Sequence, residues 1–559
     1  MKYTLLMTLL APALLAGCNL EKKEEPFQAR HIRAGYDAGQ VCQQLRQGWQ
    51  EDGIAIPASQ VSCHYLTVPL DYDKEWVQIK ETKWEKRSAA RADSTLFADN
   101  SSRFSSWPDK PVRPHVKQEA RTVKGDTLDI FYLHYRASGD YRGTLFYNPG
   151  GPTSATPDLG LLLDMLRSAN PAILEHYDIV TLDPRGAGYS ALGHELRSCL
   201  LTDKQGVRPD MSPAQLAQLF ASRDKGALPA LQSGADQGKA FSTALLERCG
   251  EPLRLHAPHL GSRAVVEDME RLRQHLGRER IIPITFSYGT RLAALYAARY
   301  PSHVANLVVD SPMSPAENRY PAIFRGDAEN ANRILAWRFG DQALQRSMAV
   351  TRQVRDNGRY VDNQGNVLDR ASWVAVLGDA ISGSQRDDQL AFWQQDDAGP
   401  LLARLAGQDD DNPYQELQEM PFFSAIHCTD NSEPYNWQTL DPEDAAFQGA
   451  GALLLAKSFN TCADWPYPRQ PIASYGAGEI KLPDDARALV LGAEYDPNTP
   501  FAGARQMQAA FGSAARLVQV EQSNQHGQLN SSRCAQAALS TLLLGDAASL
   551  PAEQRCLAD

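Results

Sequence analysis

Ile281-Ile282-Pro283-Ile284-Thr285-Phe286-Ser287-Tyr288-Gly289-Thr290-Arg291-Leu292-Ala293 is the stretch that decides the reading of this chain. Ile281 to Thr285 predicts a short buried strand. Leu292, Ala293, Tyr296 and Ala297 repeat at helical spacing and stop before Pro301, which predicts a helix. Ser287 sits where strand becomes helix. So sharp a turn holds a serine exposed at the top of a sheet, and it needs compact residues two before and two after. Gly289 meets the second need; Thr285 stands where glycine is usual and is a compact departure. The helix that follows points the positive end of its dipole at developing negative charge. A near match to a five-residue pattern carries little weight alone. Its strand–turn–helix context carries more.

The same rhythm recurs on either side of this stretch. Gly143–Tyr147 (GTLFY) predicts a strand that ends in Asn148-Pro149-Gly150-Gly151-Pro152. Tyr177–Leu182 (YDIVTL) predicts another, ending in Asp183-Pro184-Arg185-Gly186. Val265, Val266, Met269, Leu272 and Leu276 mark a helix closed by Gly277. Val304–Asp310 is a further strand. After Ser311 the rhythm stops, and helical and irregular stretches run to about Asp484. Strands return at Ala488–Gly492 and Arg516–Val520, and a last helix near Cys534–Leu544 closes the domain. Strands alternating with helices predict an α/β fold with a mostly parallel sheet.

A serine is a weak nucleophile unless a base takes its proton. In this kind of sheet the acid and then the histidine follow the serine in the chain. Asp496 lies four residues beyond the strand ending at Gly492, and His526 is the one histidine after it. Asp496 is therefore the candidate to orient His526, with Glu494 as its rival. The base needs that acid to fix its tautomer and stabilise the imidazolium. The oxyanion needs two backbone donors. Tyr288 supplies the amide after the nucleophile, and Gly151, in a loop after a core strand, supplies the other candidate.

Together these pieces resemble the prolyl and tripeptidyl aminopeptidase branch of the α/β hydrolases. The matching segments are Val68-Pro69-Leu70-Asp71-Tyr72, Asn148–Pro152, Asp183–Ser190, Ser287–Thr290, Asp496–Pro500 and His526-Gly527. Thr285 and Thr153 depart from glycines common in that branch. The tail from about Cys462 resembles the C-terminal domain of tripeptidyl aminopeptidases. The resemblance implies an α/β-hydrolase fold with a largely helical cap insertion, and hydrolysis of peptide bonds near a free N-terminus. It also implies acidic cap residues that measure that terminus, for which Asp430 and Glu433 are the candidates. An esterase or lipase uses the same triad, so the triad does not separate these activities. A non-catalytic surface binding protein on this scaffold is the third reading.

The N-terminus reads as a targeting segment. Lys2 precedes an apolar run that reaches Leu15, too short to span a bilayer. Leu15-Ala16-Gly17-Cys18 resembles a lipobox, which implies cleavage, lipidation of Cys18 and membrane attachment through that lipid. Asn19 in the next position favours outer-membrane delivery. The expected organisation is a signal peptide over 1–18, a tether over 19–40 and a first core part over 41–310. A surface excursion over 73–124 interrupts that part. A cap over 311–484 and a second core part over 485–559 follow. Of nine cysteines, eight remain after Cys18, an even number suited to an oxidising compartment. Pairing neighbours in sequence gives Cys42–Cys63, Cys199–Cys249, Cys428–Cys462 and Cys534–Cys556, one of 105 connectivities.

Composition excludes some classes. A net charge of −11 argues against a nucleic-acid partner, which needs basic patches. There is no CxxC pair, and His256–His259 has no third ligand in view, so no metal site is expected. No cofactor motif stands out; Gly186-Ala187-Gly188 is only a fragment of a dinucleotide loop.

Overall fold

Runs of β-branched and aromatic residues build a ten-stranded sheet. The structure is a computed structural model that describes residues 30–54, 56–72, 80–85, 115–120, 125–199, 245–383, 387–406, 413–432, 441, 443–457, 462 and 465–559. The strands are β1 (His31–Ile32), β2 (Val61–Pro69), β3 (Thr127–Tyr135), β4 (Gly143–Asn148) and β5 (Tyr177–Leu182), then β6 (Ile282–Phe286), β7 (Leu307–Asp310), β8 (Ala488–Ala493), β9 (Ala515–Glu521) and β10 (Glu553–Leu557). Their order is β1-β3-β5-β4-β6-β7-β8-β9-β10, with β2 on the other side of β3. From β5 to β10 every pairing is parallel; β3 runs antiparallel to β2 and β5.

A parallel sheet must be covered on both faces, and its strands read as continuous apolar runs. Six helices do the covering, α1 (Ala38–Glu51), α2 (Leu159–Ala169), α3 (Ser262–His275), α4 (Gly289–Arg299), α9 (Phe501–Phe511) and α10 (Arg533–Leu544), while α5 (Tyr320–Phe339), α6 (Asp341–Asn357), α7 (Arg370–Ser382) and α8 (Pro413–Asp430) lie in the segment between β7 and β8. Side chains alternate along each strand. Phe146, Val180, Val309 and Val490 pack under α3, α4 and α9. Leu145, Ile179, Ile284 and Leu491 pack under α1, α2 and α10.

Between β7 and β8 the described residues form helices and one hairpin, Arg359–Val361 against Val367–Asp369. This segment has its own buried cluster, centred on Trp373, Phe392, Trp393, Ile334 and Val354.

The strands expected from sequence lie where they were placed, within a few residues. β1, β2 and β3 precede the first strand expected and were not foreseen, and two further differences are physical. α10 is not the last element of the domain: Glu553–Leu557 adds an edge strand whose alternately exposed residues carry no strong apolar signal. The excursion over 73–124 contains at least one regular pair, Lys80–Glu85 antiparallel to His115–Ala120. Four disulfides join Cys42 to Cys63, Cys199 to Cys249, Cys428 to Cys462 and Cys534 to Cys556. Cys18 and the leader lie outside the described residues.

Candidate active site

The turn after β6 bends as the sequence requires. Ser287 takes φ 50°, a left-handed conformation that a non-glycine residue adopts only when its surroundings impose it. A Cβ on Gly289 would run into Asn148 Oδ1 at the end of β4, so the second compact position must be glycine. The first has no such need. Thr285 is fully buried and its hydroxyl donates to the Val308 carbonyl at 3.1 Å, which explains how threonine is accommodated there.

The loop after β4 presses against this turn. A Cβ on Gly150 would lie 2.9 Å from the Cβ of Ser287. The Gly150 amide is taken by Asn148 Oδ1 at 3.0 Å. The amides of Gly151 and Tyr288 have no acceptor among the described residues, which leaves two donors beside Ser287. Asp183 shapes the rest of the loop. Its buried carboxylate accepts from the amides of Ala155, Thr156 and Tyr189 and from the Ser154 hydroxyl, at 2.8–3.0 Å.

His526 and Asp496 come together from the loops after β9 and β8. His526 Nδ1 lies 3.0 Å from both Asp496 oxygens. Asp496 is 1% exposed and also accepts the Asn498 and Thr499 amides at 2.9 Å each. Asn330 on α5 holds the Asp496 carbonyl at 2.7 Å. Glu494, the rival acid, instead accepts the Gln522 amide at 3.1 Å. Burial pulls the His526 pKa down. The hydrogen bond and charge of Asp496, with the charge of Asp310, outweigh it and raise the net value. Among the described residues no hydrogen bond joins His526 to the Ser287 hydroxyl. The two are brought to the same strand end through backbone: Ser287 N–H donates to the Asp310 carbonyl at 3.0 Å, and the His526 loop binds the Asp310 side chain.

Asp430 is not an open, substrate-facing acid. It is 4% exposed; one oxygen accepts the Ser262 amide at 2.8 Å and the other the Ser262 hydroxyl. Ser262 in turn bonds the Tyr288 hydroxyl at 2.6 Å, so Asp430 supports the turn from behind. Burial pushes its carboxyl up to about 6. Glu433 lies outside the described residues.

Three other acids border the site, and sequence alone gave no signal for them. Glu419 on α8 accepts the Thr153 hydroxyl at 3.0 Å. Asp158 is pushed up to about 6 by burial and then by Glu419 and Asp183. Asp327 on α5 is pushed up to about 7 by burial and by Asp496. None of the three has a cationic partner among the described residues. No group of three His, Cys, Asp or Glu side chains there is placed to hold a metal. His259, of the HxxH pair, lends its carbonyl to Arg185.

Residues 143–531 match the alpha/beta hydrolase fold family. Tripeptidyl aminopeptidase of Streptomyces coelicolor is 25% identical over 422 residues, 69% of this chain and 71% of that protein. Carboxylesterase B of Mycobacterium tuberculosis is 26% identical over 472 residues, 77% of this chain and 83% of that one. Serine protease Hip1 of the same organism is 24% identical over 417 residues, 67% and 74% respectively. With a serine turn, two free amides and an acid–histidine pair at the carboxyl edge of a mostly parallel sheet, the chain belongs to the alpha/beta hydrolase family.

Proposed function

We propose that this hydrolase is a serine exopeptidase that releases short peptides or residues from a free N-terminus through an acyl-enzyme. The contact of His526 Nδ1 with Asp496 carries the reading, because it leaves Nε2 as the base for Ser287. Ser287 Oγ attacks the peptide carbonyl while His526 takes its proton. The oxyanion rests on the Gly151 and Tyr288 amides. His526 then protonates the departing amine as the C–N bond breaks. Water, deprotonated by the same ring, hydrolyses the ester and restores Ser287.

The preference for a free N-terminus rests on Asp158, Glu419 and Asp327. A substrate ammonium supplies the positive charge that these acids lack. Cleavage of a peptide anilide is expected to be lost when its N-terminus is acetylated, and in Ser287→Ala, by roughly 10⁴-fold or more for the latter. Equal turnover of free and blocked substrates removes the exopeptidase reading while leaving the serine chemistry. The second reading is a carboxylesterase, favoured by the likeness to Carboxylesterase B. Faster turnover of short esters than of any free peptide would establish it. The non-catalytic reading ranks last, because a binding scaffold has no need of an oriented histidine.

The exported, Cys18-anchored form is part of the same proposal, with the outer membrane as destination. Labelled palmitate is expected to enter the wild-type chain in cells and not Cys18→Ala. Equal labelling of both would dismiss the anchor.

A further inference from the structure

We propose that Asp310 is a positioning residue that fixes the His526 loop in register with Ser287; this rests on the serine chemistry above. Asp310 ends β7, between Phe286 of β6 and Leu491 of β8. It is fully buried. Its two sides serve two different loops. The backbone carbonyl accepts the Ser287 amide at 3.0 Å. The carboxylate accepts the Gln528 amide on Oδ1 and the Leu529 amide on Oδ2, each at 2.8 Å. The next residue completes the clamp: the Ser311 hydroxyl accepts the Gly527 amide at 2.8 Å. Three consecutive amides following His526 are therefore fastened to two consecutive residues, one of which also holds the nucleophile's backbone. Ser311 itself sits at φ 51° and is 1% exposed, so its surroundings impose the conformation that turns its hydroxyl to this loop.

The carboxylate is not a second orienting acid. Both of its oxygens are engaged by amides, and His526 Nδ1 is held by Asp496. Nor is it a mere buried charge, because an uncompensated carboxylate at this depth would be costly. The charged and titratable groups facing it are His526 and Asp496. Burial and Asp496 push its carboxyl up to about 6 against the pull of the two amides and His526. The same charge faces His526 and helps hold its proton.

An amide at this position is nearly the same size but turns one acceptor into a donor, which confronts an amide N–H and releases part of the loop. Three variants of the full chain form the test: Asp310→Asn, Ser311→Ala and Ser287→Ala. Turnover of a short p-nitrophenyl ester and of an unblocked peptide anilide is followed across roughly pH 5 to 9. Folded Asp310→Asn is expected to lose about tenfold or more in kcat with KM changed less than about twofold, and the acid limb of its profile is expected to move to lower pH. A purely structural acid lowers the melting temperature but leaves kcat of the folded fraction and the acid limb in place; that outcome overturns the proposal. If Asp310→Asn does not fold, Ser311→Ala carries the test. It is expected to lose about threefold in kcat at unchanged KM, and an unchanged kcat overturns the proposal. Ser287→Ala separates the two levels. If it keeps turnover, the serine reading fails whatever position 310 does; if it is inert while Asp310→Asn is normal, only the positioning role falls.

Discussion

Asp496 acts at the scale of a single contact. Its carboxylate accepts from Nδ1 of His526 and so selects the tautomer whose Nε2 is free to accept a proton. In the proposed mechanism deprotonated His526 is the working form, so activity is expected to rise with pH through its pKa. Asp496 and Asp310 raise that pKa above the ordinary histidine value of 6.5, so the acid limb is expected above it. In Asp496→Asn the main raising influence is gone and the limb is expected to fall to lower pH. The new amide also favours the wrong tautomer, and kcat is expected to drop on the order of 10⁴-fold. A pH–rate profile of the two proteins checks both. A limb that stays put would mean that another group titrates there.

Elements are held in place by a buried ion pair that the sequence presents only as a turn motif. Arg185 and Asp268 are both fully buried and meet through two contacts, 2.6 and 2.8 Å. The same guanidinium donates to the carbonyls of Pro69, Leu70 and His259. Tyr72 donates to Asp268 at 2.8 Å. One side chain thus ties the end of β2, the turn after β5 and helix α3 into one unit, which accounts for two of the family-like segments, Val68–Tyr72 and Asp183–Ser190. Arg185→Met leaves the Asp268 charge buried without a cation, and about 3–5 kcal/mol of stability is expected to be lost. Urea unfolding measures it. A double change, Arg185→Met with Asp268→Leu, is expected to recover part of the loss; no recovery would mean that the carbonyl contacts, not the charge, dominate.

For the whole molecule, acid stability depends on histidines kept neutral by burial. His64, stacked on Tyr132 with ring centroids 5.2 Å apart, is lowered to about 4 by burial and by its cationic neighbours. Its folded pKa lies below its unfolded value. The unfolded chain therefore takes up more protons between about pH 6.5 and 4. The stabilisation is present above that window and lost as pH falls through it. Allowing for partial exposure and solvent screening, the loss is about 1–2 kcal/mol. Raised carboxyls such as Asp310 and Asp430 titrate the other way in the same range, so total stability alone does not isolate the effect. The difference between wild type and His64→Gln does. It is expected to shift in favour of the glutamine protein from pH 7 to pH 4, by chemical denaturation at each pH. A constant difference would show that His64 takes up its proton with the same pKa in the folded and unfolded chains.

Sequence alone determined whatever depends on order and local pattern. It placed the strand-turn-helix at Ser287, because a buried strand, a compact glycine and a helical face follow within a few residues. It also singled out Asp496 and His526 as the candidate acid and base, because in this topology the acid and then the histidine follow the serine. For the cysteines it offered the neighbouring pairing as one of 105 connectivities, and the structure joins those pairs. Only the tertiary structure decided what depends on residues far apart in the chain. It turned Asp430 inward onto Ser262, and it brought Asp327, Glu419 and Asp158 to the rim of the site. It engaged Arg185 with Asp268 and fastened the His526 loop to Asp310. Polar side chains find such partners across long separations, and no periodicity or spacing records which carboxylate meets a cation, which meets a backbone amide and which meets neither.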